Sequence, residues 1–192
     1  MSFTSLLGER VSLFPLKIEH SEALYLCSRS EEIWQYLPIQ IKTKKEMVDF
    51  IQAAITRREQ GDEFPYAVYD NKLNKIIGMT RYLRIASMHK SLNIGWTWYS
   101  PEVWKTRVNT ESKYLLLQYA FEVWEAVRVE IITTVSHYRS QKAIERLGAN
   151  KEGILRKKYN GQDYAVYSII DEDWPNVKRN LETLLTNTYE KS

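Results

Sequence analysis

Cysteine is almost absent from this 192-residue chain: Cys27 stands alone. A single thiol cannot close an internal disulfide, so the chain suits a reducing, cytoplasmic setting. Histidine is scarce as well. His20, His89 and His137 are scattered and make no HxxxH pair, and there is no CxxC, so no metal site is expected. Seven glycines and five prolines are too few for a disordered chain or a turn-rich all-β sandwich. Long apolar runs are missing. The longest, YLLLQYAF at 114–121, is far below the roughly 20 residues a membrane span requires. The N-terminal stretch MSFTSLLGERVSLF carries Glu9 and Arg10 and lacks a long apolar segment, so it does not read as a signal peptide and no membrane association is expected. Neither sign of charge dominates: 27 Lys and Arg against 24 Asp and Glu leave +3, which permits acidic ligands without pointing to nucleic acid.

What remains is an ordinary globular balance, 44% hydrophobic and 27% charged, at a length that fits one domain over 1–192. RVSLFPL (10–16) reads as a strand ending at Pro15, and 19–29 as a helix. KTKKEMVDFIQAAITRREQG (42–61) is a clearer helix: Thr43 and Glu46 form a capping-box pattern, Met47, Phe50, Ile51, Ala54 and Ile55 an apolar stripe, and Gly61 a stop. EFPYAVYD (63–70) and NKIIGMTRYLR (74–84) read as strands joined by a turn. SLNIGWTWY (91–99) alternates, with Leu92, Ile94, Trp96 and Trp98 on one face and Asn93, Gly95, Thr97 and Tyr99 on the other. A helix is expected from about 107 to 125, with Val108, Leu115, Leu116, Tyr119, Ala120 and Val123 inward. RVEIITTV (128–135) is a strand, SQKAIERLG (140–148) a short helix with Gly148 just past its end, and two strands and a polar-faced helix follow. The order β-α-α-β-β-β-α-β-α-β-β-α implies an α+β fold with a mixed, largely antiparallel sheet.

Two junctions could carry chemistry. PEVWKTRVNTE (101–111) leads into a helix whose first N–H groups and dipole favour an anion, with Thr106 and Asn109 as oxygen-binding residues and Lys105 and Arg107 as cations. A capped, solvated helix start explains the same residues. The second junction holds His137, Arg139 and Ser140. Here Ser140 reads as a helix N-cap and His137 as a loop histidine. Between 139 and 158, seven Lys and Arg against two Glu leave +5, a charge that would draw a phosphorylated ligand.

Three segments carry a family resemblance: IGWTWYSPEVWKTRVNTESKYLLLQYAFE, RVEIITTVSHYRSQKAIERLGANKEGILRK and DYAVYSIIDEDWP. Over residues 8–175 the chain resembles the GNAT-fold N-acetyltransferases, in their ribosomal-protein (RimJ/RimL-like) branch. The resemblance implies acetyl-CoA bound in a cleft where the family's fourth and fifth strands splay, its pantetheine arm pairing with a strand edge. It places Thr97, Trp98 and Tyr99 at the acetyl and pantetheine end, and Trp104, Lys105, Thr106, Arg107, Val108 and Asn109 around the pyrophosphate. It assigns catalysis to Ser140, as hydrogen-bond donor to the leaving thiolate; the base is left to His137, by its own chemistry, or to water. Both of these residues also border the cofactor. The acceptor implied is a primary amine, with a protein N-terminus ahead of a polyamine or aminoglycoside. Another acyl-CoA donor and a non-catalytic CoA-binding protein are the competing readings, and homodimers are common in the branch. The sequence departs from the family pattern at five positions: two loop glycines are Lys105 and Arg107, and Asn93, His137 and Tyr159 replace a Glu, an Asn and a Glu.

Overall fold

A computed structural model describes residues 4–187. The domain expected over 1–192, and the first three residues of the N-terminal stretch, extend past that range. The elements are β1 (Leu6–Leu7), β2 (Val11–Pro15), α1 (Ser21–Cys27), α2 (Glu31–Trp34), α3 (Lys44–Glu59), β3 (Glu63–Asp70), β4 (Lys75–Ala86), β5 (Ser91–Tyr99), α4 (Val108–Gln118), β6 (Arg128–Thr134), α5 (Tyr138–Arg146), β7 (Asn150–Tyr159), β8 (Gln162–Ile170) and α6 (Trp174–Asn187). The expected α+β order holds, with the short β1 and α2 added. One eight-stranded sheet runs β1-β2-β3-β4-β5-β6-β8-β7. Every neighbouring pair is antiparallel except β5–β6.

Local chemistry explains most boundaries. At the start of α3, Thr43 Oγ1 accepts from Glu46 N at 3.2 Å while Thr43 N donates back to Glu46 Oε2 at 3.1 Å, a reciprocal cap worth about 1 kcal/mol. The β3–β4 turn hangs on Asp70. Its Oδ1 accepts from Lys72 N and Leu73 N, and Arg10 grips both carboxylate oxygens at 2.8 and 2.7 Å. Helices cover both faces of the sheet. Leu24, Met47 and Ile51 meet Ala67 and Met79 on one side, while Leu116, Ala120, Trp174 and Leu181 meet Tyr66, Tyr82, Leu92 and Val129 on the other.

The alternation expected for β5 breaks at Trp96. Met79 pairs with Trp98 and Arg81 with Gly95, so Trp96 and Thr97 together oppose Thr80 alone. This β-bulge puts Trp96 at φ +49°, a left-handed conformation that costs a bulky residue about 1–2 kcal/mol. One extra residue reverses the face of everything beyond it. Leu92, Ile94 and Tyr99 share the core under α4, whereas Trp98 joins the other core against Trp34. Tyr99 and Trp98 have therefore exchanged their expected faces.

Two helix expectations also need correction. The helix after 107 is regular only to Gln118. A π-turn over Tyr119–Val123 follows, marked by Trp124 N donating to Tyr119 O at 3.0 Å. The wider turn rotates the remaining residues, so Phe121 and Trp124 enter the core and Val123 is exposed. Ser140 is not an N-cap. The helix α5 starts at Tyr138 behind His137, so Ser140 lies in its first turn. Gly148 does sit just past the helix, at φ +92°.

Candidate active site

Beyond Ser91–Asn93 and Arg128–Glu130 the two parallel strands part. The bulge turns β5 away toward β4, while β6 stays paired with β8 along its whole length. Between them opens a cleft of about 1610 Å³. Its β5 wall is a strand edge that past Asn93 has no sheet partner on that side among the described residues, ready to pair with an extended ligand.

At one end the cleft meets loop 104–109. Trp104 Nε1 donates to Tyr99 O at 2.9 Å, and Thr106 Oγ1 donates to Val103 O and accepts from Val108 N at 3.3 Å. Lys105 takes φ +64°, the conformation a glycine would adopt without strain. The first turn of α4 aims its N–H groups here, and Lys105, Arg139, Lys142 and Arg146 line the same region. Arg139 stacks on the Trp104 ring, its guanidinium carbon 4.9 Å from the centroid. The Arg107 guanidinium turns toward acids, with Glu111 at 3.3 Å and Glu9 at 3.4 Å. The donor set of strand edge, helix N-terminus and cations fits an acyl-CoA.

The expected site residues converge on this cleft. Thr97, Trp98, Tyr99, Trp104, Lys105, Thr106, Arg107, Asn109, His137 and Ser140 all line it. Val108 does not: its side chain is fully buried in the core and its N–H already donates to Thr106 Oγ1. His137 stacks on Tyr36 with ring centroids 3.8 Å apart, and burial, then the neighbouring Arg139, lowers its pKa below the usual histidine value. The basic excess of 139–158 splits. Arg139, Lys142 and Arg146 face the cleft from one side of α5, whereas Arg156, Lys157 and Lys158 lie exposed on the edge strand β7.

Tyr36, Asp62, Arg84 and Tyr159 also line the cleft, and Arg84 donates to the Tyr159 hydroxyl. Below it, Arg81 is buried against Glu63 at 3.0 Å and lies over the rings of Phe50 and Trp96. Burial lowers its pKa to about 10.

Sequence reasoning passed over Lys113. It sits on the α4 face shared by Asn109, Leu116 and Ala120, is only 5% exposed and lines the cleft. Its Nζ lies 2.6 Å from Thr97 Oγ1, which in turn is 2.8 Å from Thr80 Oγ1. Burial alone drives its pKa down to about 7. The signal was available: a lysine three residues before Leu116 and seven before Ala120 of the apolar stripe faces inward. Among the described residues no group of His, Cys, Asp or Glu could hold a metal, and no helix is long and apolar enough to cross a membrane.

A family model described as an acetyltransferase (GNAT) domain matches residues 10–150. No curated protein matches the sequence. Solved structures resemble nearly the whole chain. A GCN5-related N-acetyltransferase from Brucella melitensis is 26% identical with a TM-score of 0.88, over 95% of this chain and 86% of that one. A candidate acetyltransferase from T. thermophilus is 30% identical with a TM-score of 0.87, over 96% of this chain and 99% of that one. RimL, a ribosomal L7/L12 alpha-N-protein acetyltransferase, is 18% identical with a TM-score of 0.78, over 86% and 93%, a likeness of fold alone.

Proposed function

The chain belongs to the GNAT acetyltransferase family, the acetyl-CoA-dependent N-acetyltransferases, and from that premise we propose that it acetylates the α-amine of a protein or peptide N-terminus. The observation that carries the acceptor reading is the breadth of the cleft lining: besides loop 104–109, Tyr36, Asp62, Arg84 and Tyr159 join it from four separate chain segments around a volume of about 1610 Å³, and that breadth favours an extended peptide over one small amine. The fold shared with RimL supports the same choice.

Acetyl-CoA, when bound, supplies a thioester acyl group open to attack by an amine. The chain's own residues do the rest. Loop 104–109 and the first turn of α4 hold the pyrophosphate through N–H groups, with Lys105 and Arg139 adding charge. The free edge of β5 holds the arm, so the reacting groups meet in one orientation. Backbone N–H groups at the bulge are fixed donors for negative charge on the acyl oxygen. Ser140 offers a hydroxyl proton from α5 to the sulfur. The His137 imidazole, kept uncharged near neutral pH by its surroundings, has a lone pair able to take the amine's proton. The single Cys27 thiol, whose pKa burial raises to about 12, is inert and suits a cytoplasmic enzyme.

The test has two stages. Calorimetric titration with acetyl-CoA should show binding, and no binding at millimolar concentration would remove the donor. Release of free CoA should then be faster with N-terminal peptides than with polyamines or aminoglycosides, and the reverse ranking would remove the peptide acceptor.

A further inference from the structure

A lysine in the interior is expensive unless an acid pairs with it. Among the described residues Lys113 has no such partner, and its one polar contact there is the hydroxyl of Thr97, the residue directly after the left-handed Trp96. Thr97 is the point at which β5 has left β6 and turned back to β4, and its hydroxyl reaches on to Thr80. We propose that Lys113 is a positioning residue whose amine latches Thr97 and so sets the geometry of the bulge, in a form that depends on whether the amine is protonated. The inference rests on the acetyl-CoA reading only in taking the bulge to be the acyl end of the cleft.

The chemistry follows from the donors and acceptors present. As an ammonium, Lys113 can only donate, so Thr97 Oγ1 must accept and turn its own proton to Thr80 Oγ1 or to Gly95 O, which is 3.5 Å away. As a free amine, Lys113 can accept that proton, which reverses the hydroxyl. Protonation therefore selects the direction of a polar group at the wall of the cleft. Burial makes the switch accessible near neutral pH, since it holds the amine at about 7.

Neighbouring charges do not override it. On α4 itself, Arg107 pairs with Glu111, whose other oxygen accepts from Arg10 N. From α5, Arg146 ends on Thr110 Oγ1 at 3.0 Å. On β6, Glu130 is taken by Arg128 and Asn93. From β4, Arg81 is held by Glu63. The group meeting Lys113 from β5 is the Thr97 hydroxyl, which reaches on to the Thr80 hydroxyl of β4, and burial is the sole cause of the lysine's shift.

Two measurements decide it. The first needs no ligand: in protein carrying 13C-labelled lysine, one Cε signal should titrate near neutral pH, vanish in Lys113→Met, and move to lower pH in Thr97→Val, where the ammonium has lost its acceptor. No such signal, or no movement in Thr97→Val, overturns the latch whatever the protein binds. The second reads the site. The ratio of acetyl-CoA affinities at pH 6 and pH 9 should differ between wild type and Lys113→Met by at least about threefold, and kcat should fall about tenfold or more in Lys113→Met with KM for acetyl-CoA within about threefold. Identical pH profiles and unchanged kcat overturn the proposal. If Lys113→Met does not fold, Thr97→Val carries both measurements. Failure of wild type to bind acetyl-CoA would strike the donor reading and leave the lysine titration to judge the latch.

Discussion

Replacing Lys113 by Met should stabilise the protein, by an amount set by pH. Burial holds the folded-state amine at about 7, against 10.5 for an ordinary lysine. Between those values the unfolded chain binds more protons than the folded one. Wild-type stability therefore rises with pH across this window, by up to about 1.4 kcal/mol per unit. Summed over the window, the buried amine costs on the order of 4 kcal/mol at and below neutral pH, and almost nothing above pH 10. Against this stands one hydrogen bond to Thr97, worth about 1 kcal/mol. Met keeps the stem's length and removes the charge, so the net gain should be about 3 kcal/mol at pH 7. Urea unfolding of both proteins at intervals from pH 6.5 to 9.5 measures it. The stability gap should be largest at the acid end and shrink by about 1.4 kcal/mol per unit above pH 7. A gap that does not change with pH would refute the reasoning, and so would a variant less stable than wild type at pH 7.

Three other substitutions probe the cleft. Arg107→Ala leaves the buried Glu111 carboxylate short of its guanidinium, so stability should drop by about 1–3 kcal/mol while acetyl-CoA affinity falls less than about tenfold; a greater affinity loss at unchanged Tm would make Arg107 a phosphate ligand. Lys105→Gly relieves the left-handed strain but loosens the unfolded chain, so Tm should stay within about 4 °C and acetyl-CoA affinity within about threefold; a tenfold loss in calorimetry would show that the ammonium holds the anion. Ser140→Ala should cut kcat about tenfold or more with little change in acetyl-CoA affinity, and equal losses in both would reduce Ser140 to a structural residue.

Periodicity exposed the elements that obey one rule throughout. The stripe of α3 and its Thr43 cap are local, so both were readable. The helix at 108–118 was readable for the same reason, but the π-turn that expels Val123 goes with tertiary packing, the Phe121 ring stacking on Trp174 of α6, which no local pattern announces. In β5 the pattern was misleading: four hydrophobic residues at even spacing suggest an unbroken strand, and nothing in SLNIGWTWY marks Trp96 as left-handed, since the usual glycine or asparagine signal is missing there. The start of α5 went astray because His137 precedes the helix without a side-chain cap, while Ser140 looked like one. Both junctions of the candidate site stood out in the sequence, but that they meet in one cleft was visible only through the family resemblance. Its residues come from β5, loop 104–109 and the β6–α5 junction, which no local pattern connects.

Trp104 packs partly against both hydrophobic cores, one on each face of the sheet. The indole that shapes loop 104–109 is thus also the seam between the two halves of the molecule. A ligand seated on that loop should tighten both cores together. Heat should accordingly melt the protein in a single cooperative transition that acetyl-CoA moves as a whole, with neither half unfolding ahead of the other.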